Sequence, residues 1–325
     1  MRGVRSSMKG MTPRNEKERE FIKIFDGLCY TRSRWQIWSD FVHMSALSIV
    51  NAVDKVHFDV REERFKRIVK PYSEKEMAGF AQLLKTTALA LEENPFQDFL
   101  GELYMRCDLG NESNGQFFTP YHICEFMAKI LMDGQTSAKD DIEKNGYIGI
   151  CDPCIGGGAM LIGAAQALHQ MGINYQQDAV FVGQDIDANV AMMAYIQLSL
   201  LGCPGYIKIG NSLTEPMTGN VLFGDGKETT FYMPMFFTEK MEFLRHMALV
   251  RKLFYTIGGP ANSRAEPDAQ PENAAPVVSA GETVVPAVVP AAEEKPPVQD
   301  GPPIIEISKK KGKALVGQTM FDFGI

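Results

Sequence analysis

The sequence predicts an α/β protein in which an all-helical region precedes a doubly wound, mostly parallel sheet. In the N-terminal third, Ser73 and Glu76 have the spacing of a capping box just before an apolar helical series. From Tyr147 onward, short apolar runs alternate with helical ones, in the order YIGIC, AMLIGAAQALHQM, AVFVGQ, DANVAMMAYIQLSLLG and GYIKIG. This alternation is typical of strands and helices in a parallel sheet.

Composition divides the chain into five segments. Residues 1–15 are small and basic at the start and are expected to be disordered, 16–110 form the helical domain, and 111–257 form the sheet domain. Residues 258–303 are rich in Pro, Ala, Val, Glu and Gly without a period, which predicts a disordered linker. Residues 304–325 are basic and then abruptly aromatic, which predicts a separate terminal peptide.

The clearest helical pattern follows the segment GQFFTP. Thr119 is expected to cap a helix whose first position is Pro120. The apolar positions after it recur at helical spacing and predict a stripe that faces the core, formed by Ile123, Phe126, Met127, Ile130 and Leu131.

Charge and cysteine usage limit the functional classes. The 325 residues are 45% hydrophobic and carry a formal net charge of -7, so contact with nucleic acid requires local basic patches. Six scattered cysteines without an apolar N-terminal segment favour a reducing cytoplasm. The longest apolar run, 190–202, is interrupted by Gln197 and is too short for a membrane span.

Cys151 and Cys154 form a C-x-x-C pair that has three possible interpretations. A structural zinc site requires about four ligands, and no second pair at suitable spacing exists. A redox pair is expected directly at a helix N-terminus, whereas three glycines intervene here. The third interpretation, a turn that holds a cofactor, agrees best with the surrounding residues.

The residues around this pair have the order required for a nucleotide-type site. Asp152 ends a strand, and Gly156, Gly157 and Gly158 lead into a helix, so backbone N–H groups can approach a ligand. The spacing is neither G-x-G-x-x-G nor that of a phosphate loop, which disfavours a dinucleotide or a triphosphate. Asp185 follows the next strand and is suited to hold ribose hydroxyls, although it or a neighbouring acid could simply cap the next helix.

Four segments together resemble the N-6 adenine DNA methylases, particularly the modification subunit of type I restriction systems. They are GQFFTP at 115–120, DPCIGGGAMLI at 152–162, GQDID at 183–187 and GNSL at 210–213. The resemblance implies a Rossmann-like domain that binds S-adenosylmethionine after a helical region, and an adenine-specific DNA methyltransferase activity.

Carried over position by position, the resemblance also implies which residues bind the cofactor. Phe117, Thr119 and Pro120 would contact the methionine end of S-adenosylmethionine. Asp152, with Pro153 and the glycine turn, would cradle the cofactor, and the acid after the second strand would hold its ribose.

The catalytic motif of that family, Asn-Pro-Pro-aromatic, does not occur in this sequence. The nearest segment is FYMPMFF, in which Met233 stands where the family has an amide acceptor. The resemblance then implies that Tyr232 or Phe236 stacks on a flipped adenine and that Asn211 and the Pro234 carbonyl accept from its amine. An ordinary buried strand is the alternative for this segment.

The space after FYMPMFF allows only one helix before the linker, so the sheet is expected to be truncated, with an exposed edge. Either a partner subunit completes the sheet, or the chain is a non-catalytic scaffold that binds S-adenosylmethionine in a DNA-associated complex. A nicotinamide enzyme is a third hypothesis.

The terminal peptide resembles the short segments by which bacterial replication and repair proteins bind the sliding clamp. Its key residues are Gln318, Met320, Phe321 and Phe323, after a cluster of lysines within 309–313 that could contact phosphate. A tail that folds back onto its own domain is the alternative.

Overall fold

The computed structural model describes residues 12–30, 32–107, 109, 118–133 and 137–258. In these ranges the chain forms helices α1 (Glu16–Leu28), α2 (Arg34–Val53), α3 (Phe58–Val69), α4 (Glu74–Glu93), α5 (Phe99–Arg106), α6 (Tyr121–Asp133), α7 (Ser137–Asn145), α8 (Ala159–Gln170), α9 (Tyr175–Asp178), α10 (Ala188–Leu200) and α11 (Glu239–Gly258). The strands are β1 (Ile148–Asp152), β2 (Ala179–Asp185), β3 (Gly205–Ile209) and β4 (Thr230–Tyr232). The predicted mixed α/β protein is confirmed.

The sheet has four strands in the order β1-β2-β3-β4. The first three are parallel, as predicted, and each is joined to the next through a helix, α8 or α10. The fourth is short and runs antiparallel to β3. In the described part of the chain, β1 pairs with β2 alone and forms one edge of the sheet.

Helices cover both faces of the sheet. On one face, α8 and α10 join the main core, whose side chains come from the helical region as well as the strands. On the other face, Val180, Val182 and Tyr206 pack against Met241 and Leu244 of α11.

The helical region and the sheet share one continuous core. Helix α10 is buried on all sides because it contacts β2 and β3 on one side and α2 and α5 on the other. The predicted start of α4 is also observed: the Ser73 hydroxyl accepts from the Glu76 N–H, and the Glu76 carboxylate accepts from the Ser73 N–H at 2.8 Å.

The predicted core stripe of α6 is exposed, so that prediction is wrong. Phe126 and Ile130 expose 62% and 56% of their surface, and three further members of the stripe are exposed as well: Ile123, Met127 and Leu131. The buried side of α6 carries small residues, Cys124 and Ala128, and packs on α8. A Cβ added at Gly163 of α8 would lie 3.2 Å from the Cys124 backbone. The close approach of the two helices therefore selects the side with small residues and turns the large side chains outward.

No helix in the described ranges is long and apolar enough to span a membrane. The predicted terminal peptide with Gln318, Met320, Phe321 and Phe323, its lysine cluster and the predicted linker lie outside the described residues.

Candidate functional site

The two predicted acids lie at the same edge of the sheet, at the carboxyl ends of neighbouring parallel strands. Asp152 ends β1 opposite Gly183, and Asp185 ends β2 two positions further along. The backbone N–H of Gly156 donates to Oδ2 of Asp185 at 3.0 Å. The glycine turn and the second acid, far apart in sequence, are thus in direct contact.

Each glycine of the turn meets a different physical requirement. Gly156 and Gly158 have positive φ angles of 57° and 99°, which side chains rarely tolerate. At Gly157 the restriction is space, because an added Cβ would lie 3.2 Å from the Cα atom of Gly101. Gly158 also precedes α8 and has no side chain, so no side-chain cap occupies the N–H groups at the start of α8.

The two carboxylates share an environment that disfavours negative charge. Burial raises the pKa of Asp152 above its usual value, and the charge of Asp185 adds to this effect. Burial is also the largest cause that raises the pKa of Asp185, opposed by hydrogen bonds from the N–H groups of Asp187 and Gly156. A ligand that donates hydrogen bonds or carries positive charge would relieve this cost.

Asp185 does not cap the helix that follows it. Asp187 is the N-cap of α10, and its carboxylate accepts from the N–H groups of Asn189 and Val190. Asp185 accepts instead from the glycine turn and from the N–H of Asp187. Since a carboxylate can accept about four hydrogen bonds, Asp185 keeps capacity for hydroxyl groups.

The two cysteines of the turn are free and exposed. The N–H of Cys154 donates to Oδ1 of Asp152 at 3.0 Å, and its sulfur lies 3.9 Å from Oγ of Ser212. Among the described residues, no cluster of three or more His, Cys, Asp or Glu side chains could hold a metal ion. Cys154 therefore lies in the turn itself, whereas Cys151 belongs to β1.

An aromatic ring borders the glycine turn, and it belongs to Phe118. Its ring would lie 3.7 Å from a Cβ at Gly156 and stacks on Tyr104 at a centroid distance of 5.7 Å. Thr119 and Pro120 follow directly and are exposed, whereas Phe117 lies outside the described residues. The Phe pair of the motif pointed to this contact, although the first Phe and not the second was predicted to contribute.

Asn211 lies at the same edge as the two acids, beyond the end of β3. The N–H of Gly210 donates to the backbone oxygen of Asp185, which fixes the start of this loop. The Asn211 side-chain oxygen accepts from the N–H of Leu213 at 2.9 Å and has one lone pair left.

Tyr232, Pro234 and Phe236 do not join this edge, and the predicted catalytic cluster with Asn211 does not form. Because β4 is antiparallel, Tyr232 pairs with Tyr206 near the start of β3. At about 3.3 Å per residue, the start of β3 is roughly 13 Å from its end. The segment therefore lies at the opposite ends of the strands from Asp152, Asp185 and Asn211.

The aromatic rings of that segment are already packed. Phe236 is 4% exposed and stacks on Tyr232 at 5.2 Å, and the guanidinium of Arg245 lies 4.5 Å from its centroid. Pro234 begins a short 3-10 helix over Pro234–Phe237. Neither of these two rings is available to stack on an incoming base. The alternative of a buried strand holds for Phe231 and Tyr232 in β4 and not for the 3-10 helix that follows.

Two buried polar residues next to the glycine turn were missed as site residues. Asp98 and Gln197 are 3% and 0% exposed and hydrogen bond to each other at 2.8 Å. Gln197 was noted only as an interruption of an apolar run. Its burial could not be inferred without knowing that α10 is covered on all sides.

A glycine turn and two carboxylates at the carboxyl ends of parallel strands are an arrangement typical of α/β proteins that bind nucleotide-like cofactors. Residues 98–235 match the model of a family described as N-6 DNA Methylase. The resemblance predicted from the four motifs is thereby confirmed.

A solved structure is also similar to this chain. It is the crystal structure of the type I restriction-modification system methyltransferase subunit from Streptococcus thermophilus, with 18% sequence identity and a TM-score of 0.33. The similarity covers 64% of this chain and 46% of that one, so the chain spans less than half of that subunit's length.

Proposed function

We propose that this chain binds S-adenosylmethionine at the carboxyl edge of a doubly wound, Rossmann-like sheet and acts as a DNA adenine N-6 methyltransferase. The observation that carries the proposal is the contact between the Asp185 carboxylate and the glycine turn. The family match adds the reaction class. In this proposal Asp185 holds the ribose hydroxyls, and the Asp152-Pro153 pair and the turn Gly156–Gly158 line the remainder of the cofactor.

The aromatic side of the cofactor site comes from the segment before α6. Phe118 borders the turn and closes one side of the site, and Thr119 and Pro120 are exposed next to it. Phe117 is included among the residues proposed to contact S-adenosylmethionine because of its position in the motif GQFFTP. S-adenosylmethionine supplies a methyl group on a sulfonium, whose positive charge suits the two carboxylates at this edge.

The described residues supply one part of the substrate site. Transfer to an adenine amine requires hydrogen-bond acceptors and a stacking ring, and at the carboxyl edge Asn211 offers one acceptor. Tyr232, Pro234 and Phe236 lie at the opposite ends of the strands, so they have no catalytic role in this proposal. In this proposal the stacking ring and a further acceptor come from another element.

We propose that a separate polypeptide supplies these groups by adding a strand beside β1. A strand that pairs with the free side of β1 and runs parallel to it would place the loop after that strand beside Asp152. Exposed apolar side chains lie on two helices: Phe126 and Ile130 on α6, which packs on α8, and Phe243 and Phe254 on α11, which covers the other face of the sheet. A soluble chain rarely exposes this much apolar surface without a partner.

The exposed thiol of Cys151 in β1 provides a test of this partner. A thiol crosslink from Cys151 should reach an identified strand of the second polypeptide, and addition of that polypeptide should restore methyl transfer. A dimer of the chain alone that dissociates on Phe126→Lys would instead show that a second copy covers the surface.

Calorimetric titration with S-adenosylmethionine tests the cofactor site. Asp185→Ala should weaken binding by about tenfold or more, since hydrogen bonds to a charged group contribute about 1.5–3 kcal/mol. Asp178→Ala is the matched control, because Asp178 precedes the opposite end of β2 and pairs with Lys240. Equal affinity of the two variants, or no binding by the unmodified chain, would refute the site.

A binding protein without turnover is the second candidate function. It is favoured by the position of Tyr232, Pro234 and Phe236, which lie at the opposite ends of the strands from Asn211 and the glycine turn. Transfer of tritiated methyl groups into unmethylated DNA separates the two. Transfer that appears with the partner supports the enzyme, and its absence with every partner supports the scaffold.

A further inference from the structure

Gln197 is a fully buried amide in an otherwise apolar stretch of α10. Its Nε2 group donates to Oδ1 of Asp98 and to the backbone oxygen of Gly157, both at 2.8 Å. Its Oε1 atom accepts from the N–H of Leu100 at 2.9 Å. All the hydrogen-bonding groups of this amide except one lone pair are used, and they connect α10 to two other segments, the start of α5 and the glycine turn.

Asp98 fixes the other end of this connection. It is the N-cap of α5, and its Oδ1 atom accepts from the N–H of Gly101 at 2.9 Å as well as from Gln197. A Cβ at Gly101 would lie 2.2 Å from Oδ2 of Asp98. The carboxylate therefore fills the space that a side chain at Gly101 would need.

The glycine turn rests directly on this pair. A Cβ at Gly157 would lie 3.3 Å from Oδ1 of Asp98 and 3.2 Å from the Cα atom of Gly101. A Cβ at Gly158 would lie 3.3 Å from the Cα atom of Ala194, one turn of α10 before Gln197. Thus the glycine turn packs directly against the start of α5 and against α10.

We infer that Asp98 and Gln197 are positioning residues that hold the glycine turn in its ligand-binding conformation. A segment of glycines has high conformational entropy when it is unrestrained, so its shape must be imposed by surrounding contacts. Gln197 anchors the Gly157 carbonyl, which orients the peptide plane leading to Gly158 and α8. The inference rests on the proposed function, since the ligand is the one proposed above.

The arrangement also gives the helical region a part in the site. Asp98 belongs to the start of α5, before the sheet begins, and its side chain reaches the turn only through Gln197 and the close contact with Gly157. A shift of α5 would move the acceptor of Gln197 and thereby the carbonyl that Gln197 holds. The contact couples the packing of the helical region to the shape of the cofactor turn.

Gln197→Leu tests this role against a matched control on the same helix. The control is Tyr195→Phe, which removes the buried hydrogen bond from the Tyr195 hydroxyl to the backbone oxygen of Tyr232, away from the turn. Both variants should lower the melting temperature. Only Gln197→Leu should raise the Kd for S-adenosylmethionine, by about tenfold, which corresponds to about 1.4 kcal/mol.

Hydrogen exchange in the ligand-free chain gives a second readout that does not depend on the ligand. Amides of Gly156–Ala159 should exchange faster in Gln197→Leu than in Tyr195→Phe at matched stability. If exchange at the turn is faster in Gln197→Leu while no form binds S-adenosylmethionine, the positioning role of Gln197 is supported and the proposed function is refuted. If exchange at the turn and affinity match those of the control, Gln197 has a general structural role and the inference is overturned.

Substitution of Asp98 gives a test of rescue by a conservative variant. Gly101 and Gln197 both donate to Oδ1 of Asp98, so the amide oxygen of Asp98→Asn can accept both hydrogen bonds. This variant should retain affinity for S-adenosylmethionine within about twofold. Asp98→Ala removes both and should weaken binding as Gln197→Leu does. Equal affinities of the Asn and Ala variants would contradict the role of this acceptor.

Discussion

The carboxylate of Asp185 accepts a 3.0 Å hydrogen bond from the backbone N–H of Gly156. This contact crosses from the end of β2 to the turn after β1, so it forms only when the two strands are in register. Asp185 shapes the turn in the free protein. In the proposed function its remaining lone pairs accept from the hydroxyl groups of the ligand.

Gly157→Ala is expected to destabilise the chain and to abolish ligand binding. Its new Cβ would meet the Gly101 backbone at 3.2 Å, and backbone gives way less easily than a side chain. We expect a loss of about 1–3 kcal/mol in the free energy of unfolding, measured by urea denaturation.

The control for this substitution is Gly27→Ala. A Cβ at Gly27 would meet nothing within 4 Å, and the residue lies within α1. It should stabilise the chain by up to about 1 kcal/mol through helix propensity. A similar loss for both variants would contradict the packing argument.

Asp98→Asn is expected to change how stability depends on pH. Burial raises the pKa of Asp98 from 3.8 to about 6, although hydrogen bonds from Gln197 and Gly101 oppose this. The folded chain therefore holds this proton more tightly than the unfolded chain, and stability contributed by the neutral acid is lost as pH rises from about 4 to above 6. The total loss is on the order of 3 kcal/mol.

The Asn variant has no such proton. Its stability relative to the unmodified chain should rise between pH 4 and pH 7, measured by urea denaturation at each pH. A constant difference across this range would show that Asp98 is not the titrating group.

Arg61→Ala is expected to cost about 3–5 kcal/mol of unfolding free energy, because it leaves a buried carboxylate without its counter-charge. Arg61 contacts Asp54 at 2.6 Å with both side chains buried, and it donates to the backbone oxygen of Thr230 at 2.9 Å. The double variant Arg61→Met with Asp54→Leu should recover most of this loss in equilibrium denaturation. A double variant as unstable as Arg61→Ala would contradict the assignment.

Substitutions on the two sides of α6 should differ sharply. Phe126→Lys changes an exposed side chain and should alter the free energy of unfolding of the isolated chain by less than about 0.5 kcal/mol. Ala128→Leu, on the buried side against α8, should cost about 1–3 kcal/mol. Thermal denaturation of both variants is sufficient, and the reverse order would mean that the large stripe is buried after all.

Local patterns were sufficient to predict the three parallel strands, their connecting helices and the glycine turn. These features depend on residues that are neighbours in sequence. The start of α4 at the Ser73 capping box was predictable for the same reason, and the glycines at 156 and 158 permit the positive φ angles of the turn. That Asp152 and Asp185 lie at the same ends of their strands follows from the parallel pairing of β1 and β2.

The errors concern choices made by distant residues. The segment FYMPMFF is equally apolar in either strand direction. Its antiparallel placement is accompanied by contacts from distant residues, because Tyr195 donates to the backbone oxygen of Tyr232 and Arg61 donates to that of Thr230, directly before the segment. In α6, periodicity favoured the side with the larger apolar side chains, because it reflects hydrophobicity and not the space available between two helices. The close approach of Gly163 selected the side with small residues instead.

The shared core has a consequence for how this chain can be divided. The matched family segment begins at Asp98, yet α10 within that segment is covered by α2, which precedes it. A fragment cut at residue 98 would leave a helix apolar on all sides facing water, and we expect it to aggregate when expressed alone. The unit that family similarity recognises is smaller than the unit that can fold.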